Sequence, residues 1–314
     1  MRAQLNKPNR MISTDAIEAA HATIAPAFLD TPVLRVAALD RALGCELIAK
    51  VETLTPIRSF KGRGADNMLA HTDLSDVARV VCASAGNFGW GVAHAARTRG
   101  VPATIYAAET ANPLKMDAIR DCGATVVLHG PDFDAAKLEA RARAEREGWV
   151  FLNDGAHDAN SAGAGSIAKE MTEAGLPFET ILVPLGNGAL VNGIGSWLRT
   201  HRPDVRVVAV AAEGAPSMER SWRVGRVVKL DSVDTIADGL GVRVRVPVPE
   251  AVAMMAETTD EVVLVSDAAM LSAMRLVHRT AGPVLEPSGA AGVAAVLCGS
   301  NIDPALLPAL IGDA

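Results

Sequence analysis

The stretch RVVCASAGNFGWGVAHAARTRGVPATIYA, residues 79–107, reads as a strand, a glycine-containing turn, a helix and a second strand. RVVCA (79–83) and PATIYA (102–107) are short β-branched runs, and Gly89 to Arg99 between them is helix-like. The same alternation continues on both sides. ELIAKV (46–51), ATVVL (124–128), TILVP (180–184) and RVVAVA (206–211) read as strands, and Pro113–Asp121, Phe133–Glu147 and Ala189–Thr200 as helices. Strand and helix in alternation imply βαβ units and largely parallel sheets covered by helices, so the fold class is α/β. Two glycine-rich strand-to-helix turns, at 84–89 and 186–188, are each expected to mark the carboxyl edge of a sheet of its own. The chain is therefore expected to form two open, largely parallel α/β domains with a site in the cleft between them. A small domain is placed at 48–148 and a large one at 1–47 plus 149–314.

Composition narrows the class of partner. With 314 residues, 49% of them hydrophobic, the chain has material for a sizeable core, and its net charge of −6 gives no basic field for nucleic acid or an anionic membrane face. Residues 180–198 are uncharged, but Pro184, Asn187, Asn192 and several glycines make them a poor membrane span. Cys45, Cys82, Cys122 and Cys298 are widely spaced, with neither a disulfide framework nor zinc-type spacing, which fits a reducing cytoplasm. The N-terminus lacks the apolar run of a secretory signal. A small-molecule partner is expected.

Four segments carry chemistry. In SFKGRGA (59–65), Lys61 opens a helix whose positive dipole end disfavours an ammonium and favours an amine nucleophile or base; a solvated loop lysine is the alternative. In SAGNFG (84–89), successive amides make an anion nest suited to a carboxylate, and an ordinary capped turn would look the same. In LGNGAL (185–190), glycines 186 and 188 let the backbone wrap a compact phosphate at a helix start. The last comprises TIADGLGVR (235–243), EPSGAAG (286–292) and LCGSNID (297–303), which composition alone makes turns and helix starts.

Taken in this order, these segments resemble the serine/threonine dehydratase (ammonia-lyase) family of fold-type II pyridoxal-phosphate enzymes, similar in fold to tryptophan synthase β, from Thr31-Pro32 to about Asp303. The resemblance implies pyridoxal 5'-phosphate held by Lys61 as a Schiff base, with Phe60 against the ring and Asn87 on its hydroxyl. It implies a substrate carboxylate on Ser84, Ala85 and Gly86, and a phosphate loop of Gly186, Asn187, Gly188, Ala189 and Leu190. It sets Cys298 opposite the pyridine nitrogen, where a neutral thiol makes a weaker electron sink than a carboxylate would. The implied reaction is elimination of water from a small β-hydroxy amino acid, serine, threonine or a relative, giving a 2-keto acid and ammonia. β-Replacement, threonine-synthase-like chemistry and a non-catalytic cofactor-binding protein are the alternatives. A homodimer is expected from the family, and no regulatory domain is expected after Ala314.

Departures from the family bear on the reaction. Racemases of this family have a second serine where this chain has Ala85, which cannot exchange a proton, so elimination is favoured over racemisation. Phe88 stands where histidine is usual. Arg58 replaces the residue before the serine of the lysine motif and is a candidate anchor for a second anionic group on the substrate, against the plainer reading of an exposed arginine. Glu213, Ser217 and Glu219 keep the spacing by which some relatives bind Mg2+ or Ca2+, with surface acids as the plainer reading.

Overall fold

A computed structural model describes residues 11–155, 157–240, 247–292 and the backbone of 296–297. Ten strands are present among them: β1 (Val33–Leu34), β2 (Ala49–Val51), β3 (Val80–Ala83), β4 (Ala103–Ala107), β5 (Thr125–Leu128), β6 (Val150–Leu152), β7 (Thr180–Pro184), β8 (Arg206–Ala212), β9 (Glu261–Val265) and β10 (Val296–Leu297). They form a four-stranded sheet in the order β5-β4-β3-β6, a three-stranded sheet β7-β8-β9 and a small sheet β1-β2-β10. The first two are wholly parallel, as βαβ connections require. In the third, β1 runs antiparallel to β2 and β10 parallel to it.

The fold is the α/β class expected, with one sheet more than the two glycine turns suggest. ELIAKV supplies β2, which pairs with β1 and β10 rather than with β3. Just past the expected boundary at 148, β6 pairs with β3.

The four-stranded sheet shows why its sequence reads as unbroken apolar runs. Val80, Cys82 and Ile105 pack on one face against the helices Lys61–Ala70 and Asn87–Thr98, through Met68 and Val92 among others. Val81, Ala83 and Tyr106 pack on the other against Ala136, Ala140 and Ala144 of the helix Phe133–Glu147. Alternate side chains enter opposite layers, and both layers are apolar. Each fully buried Val or Ile contributes about 1.5–3 kcal/mol. The helix Phe133–Glu147 is bounded by local chemistry. The Asp132 side chain accepts from Ala135 N at 2.9 Å, and Gly148 ends the helix at φ 67°.

The largest core joins the helices Asp158–Glu173 and Ala189–His201 to β7 and β8. Here glycine sets the spacing. A Cβ at Gly193 would lie 2.0 Å from the Ser161 carbonyl oxygen, and one at Gly163 would lie 2.6 Å from that of Arg63. The helix Asp158–Glu173 can thus approach two neighbours at backbone contact, one of them the helix that Lys61 begins.

Candidate active site

Three chain segments deliver the motifs to one cleft. The end of β3 runs into Ser84–Asn87, the end of β7 into Leu185–Ala189, and Lys61 starts its helix. A cavity of about 160 Å³ is lined by Phe60, Lys61, Ser84, Gly86, Asn87, Phe88, Gly186, Asn187, Gly188 and Leu190 among others. Carboxyl ends of parallel strands are where open α/β sheets bind ligands, because loops there diverge and helix starts point inward.

Lys61 Nζ donates to both oxygens of Asp154, at 2.8 and 3.0 Å, and Asn160 Nδ2 donates to Asp154 Oδ1 at 2.6 Å. The amine lies 5.3 Å from the Phe60 ring centroid and 5.8 Å from that of Phe88. The phenylalanine standing in place of histidine thus flanks the amine. Asp154 comes from the turn after β6, a strand the sequence reading passed over.

The phosphate-type loop has its glycines where the backbone demands them. Gly188 sits at φ 92°, and a Cβ on Gly186 would lie 2.5 Å from the Gly239 carbonyl oxygen. Asn187 uses its side chain on this loop: its Oδ1 accepts from Ala189 N at 3.1 Å, taking one of the donors at the helix start. On the facing turn, Gly86 N donates to Ser84 Oγ at 3.2 Å, and a Cβ on Gly86 would meet only open space.

On the far wall, Asn87 meets three charged residues that were not singled out from sequence. Asn87 Nδ2 donates to Glu286 Oε1 at 2.8 Å, Lys115 Nζ lies 2.7 Å from Asp238 Oδ2 and 3.7 Å from Glu286 Oε2, and all four residues line the cleft. Glu286 is buried, and its Oε2 has no hydrogen-bond partner. Burial, reinforced by Asp238 and opposed by Lys115 and Asn87, pushes its carboxyl from the ordinary 4.5 up to about 7. Between those values the native protein holds a proton that the unfolded chain has lost, so this group's contribution to stability falls as pH rises from about 4.5 to 7. Thermal unfolding of cofactor-free protein across that range is expected to show the decline, and Glu286→Gln is expected to remove it. An unchanged pH dependence in the variant would contradict this reading of Glu286.

Not every expected site residue reaches the cleft. Arg58 is exposed at φ 53° and is not part of the lining, because the turn that presents Lys61 inward turns its neighbour outward. Ala85 is buried in the core beneath the turn, beside Phe88. Of the expected cation donors, Glu213 is exposed, the Ser217 carbonyl accepts from Ser221 Oγ at 2.7 Å, and buried Glu219 pairs with Arg223. No group of three or more His, Cys, Asp and Glu side chains converges among the described residues. Cys298 lies outside the described residues.

Residues 24–305 match the family model for pyridoxal-phosphate dependent enzymes. The chain belongs to that family. It is 35% identical over 288 residues to an L-threonine ammonia-lyase of Thermotoga maritima, which covers 91% of this chain and 71% of the relative. It is 34% identical to the biosynthetic L-threonine dehydratase of Pasteurella multocida over 84% of this chain, and spans about half of that relative (51%). Among solved structures, maize serine racemase superposes with a TM-score of 0.89 at 27% identity, covering 95% of this chain and 96% of the other. Pyridoxal phosphate is thus the cofactor of this family member, and the cleft fits it on two observations. Glu286 Oε2 offers a buried polar atom without a hydrogen-bond partner, beside Asn87, and the 186–188 loop, with side chains absent at Gly186 and Gly188, leads into a helix start. Lys61 would hold the aldehyde carbon, the 186–190 loop the phosphate, and Asn87 with Glu286 the polar edge of the ring.

Proposed function

We propose that this chain is a pyridoxal-phosphate-dependent ammonia-lyase that eliminates water from a β-hydroxy amino acid, serine, threonine or a relative, to give a 2-keto acid and ammonia. The observation that carries the reading is the Lys61 amine, bonded to both Asp154 oxygens in the cleft that also presents the Ser84–Asn87 turn. The ammonia-lyase and dehydratase relatives, at 35% and 34% identity, support it.

The bound cofactor supplies the electron sink for the pair left at Cα when the α-proton departs. The chain supplies the orientation of the substrate and the base for the α-proton. The Ser84–Gly86 turn takes the substrate carboxylate and so fixes which face of Cα meets Lys61. The released Lys61 amine takes the α-proton at Nζ, and the carboxylate of Asp154, itself held by Asn160, stabilises the ammonium that results. Phe60 and Phe88 flank that nitrogen and exclude water. A racemase needs a second proton donor on the opposite face, and Ala85 has no exchangeable proton to give.

Incubating cofactor-loaded protein with a panel of β-hydroxy amino acids is expected to release keto acid and ammonia in equal amounts with no added nucleophile. Turnover only when a thiol or amine is added would replace this reading with β-replacement. The reading extends to a homodimer in a reducing cytoplasm. Cys45, Cys82 and Cys122 are free thiols, and no helix among the described residues is long and apolar enough to cross a membrane. Sedimentation of the holoenzyme checks the dimer.

A further inference from the structure

The geometry points to Lys137 as the residue that binds a second, distal anionic group on the substrate, which makes the preferred substrate a β-hydroxy amino acid with a carboxylate on its β-carbon. This rests on the ammonia-lyase reading and narrows it.

Three lysines line the cleft, and two are paired: Lys61 with Asp154 and Lys115 with Asp238. Lys137 is half-buried and has no ion-pair partner among the described residues; its ammonium lies 5.8 Å from the centroid of the Phe133 ring. An ammonium partly removed from water without a close ion pair is costly, and an anionic ligand group at that point relieves the cost. Burial and Arg141 push its pKa down from the ordinary value, while Asp134 and Asp154 act against them. The charge of Asp154 is shared, since that carboxylate also pairs with the Lys61 ammonium and accepts from Asn160.

The placement suits a distal subsite. Lys137 projects from the helix Phe133–Glu147, which packs through Ala136 and Ala140 on β3, the strand that ends in the Ser84–Asn87 turn. The turn for the α-carboxylate and the spare cation are therefore carried by one sheet, whereas the phosphate-type loop follows β7 of another. Arg58, the arginine that the lysine motif offers for this task, is exposed and outside the lining. With β-hydroxyaspartate the Cα–H and Cβ–O bonds break and water leaves. The enamine released from the enzyme tautomerises to an imine, and one water hydrolyses it, so the net products are a 2-oxo dicarboxylic acid and ammonia.

The test compares kcat/KM for β-hydroxyaspartate, O-phosphoserine, serine and threonine in holoenzyme of wild type, Lys137→Gln and Lys137→Arg. Wild type is expected to favour β-hydroxyaspartate. The ratio of its kcat/KM to that of serine is expected to fall by about 10–100-fold in Lys137→Gln, the loss of one charge-assisted hydrogen bond, and to recover in part in Lys137→Arg. An unchanged ratio in Lys137→Gln overturns the proposal, and a wild-type preference for O-phosphoserine overturns the choice of carboxylate. Succinate binding to holoenzyme, followed by competition or by the cofactor's absorbance, is expected to weaken about tenfold in Lys137→Gln. Equal succinate affinity overturns the subsite. This arm reads Lys137 even if no panel member is turned over, an outcome that would sink the lyase reading by itself.

Discussion

Replacing Lys61 with alanine is expected to abolish covalent attachment of the cofactor and to lower keto-acid release by about 10⁴-fold, because one amine serves both as nucleophile and as base. Covalent attachment is read by reduction with borohydride, which fixes the cofactor to wild type and is expected to leave none on the variant. The structural part of Lys61 is its pairing with Asp154, which alanine also removes. Lys61→Arg separates the two parts. A guanidinium keeps the charge opposite Asp154 and so the local electrostatics, but it cannot deprotonate at working pH to form the bond or take the proton. Near-native thermal stability with activity as low as that of alanine is therefore expected. Keto-acid release from Lys61→Ala at the wild-type rate would end the assignment.

What could be read from sequence follows from how far apart the interacting residues lie. The strands VVCA and ATIYA are buried on both faces and TILVP over most of its length, so their apolar runs are long and bounded by turns. The strand VFL at 150–152 is only three residues long and half-exposed at Val150 and Phe151, which leaves little pattern to find. Missing it meant missing the turn that holds Asp154. The two glycine turns and Lys61 are legible because each is a local backbone device. Their partners are not local: Lys61 and Asp154 are 93 residues apart, and Asn87 and Glu286 are 199 apart. Glu286 and Asp238 sit in segments already marked by their glycines, yet only the folded wall gives them a role. Arg58 and Lys137 show the converse. The sequence indicates that a spare cation near the lysine motif has chemical meaning, but which side chain faces inward depends on the backbone, and Arg58 at φ 53° faces out.

Arg63→Met is expected to destabilise the protein by about 3–5 kcal/mol, the cost of leaving buried charges without their partner. Arg63 is fully buried two residues beyond Lys61, and its guanidinium donates to Glu52 at 2.8 and 2.9 Å, to Glu170 at 2.5 and 3.0 Å, to Ser166 Oγ at 2.9 Å and to Thr31 Oγ1 at 3.2 Å. These contacts tie the chain entering at Thr31, the turn after β2 and the helix Asp158–Glu173 to the first turn of the Lys61 helix. With Arg63 gone, Lys50 still pairs with Glu170, but Glu52 keeps only the Thr31 hydroxyl. Arg63→Met with Glu52→Met is therefore expected to be more stable than Arg63→Met alone, since the orphaned carboxylate leaves with its partner. pH gives a second readout. Burial raises the Glu170 pKa, but Arg63 and Lys50 outweigh it and hold that carboxyl below its ordinary 4.5. Its stabilisation is present above pH 4.5 and is lost as pH falls through the depressed value. Without Arg63 much of that depression goes, so the stability gap between wild type and Arg63→Met is expected to narrow as pH drops below 4.5. Chemical unfolding across that range measures the gap, and a constant gap would show that the loss is one of packing rather than of charge pairing.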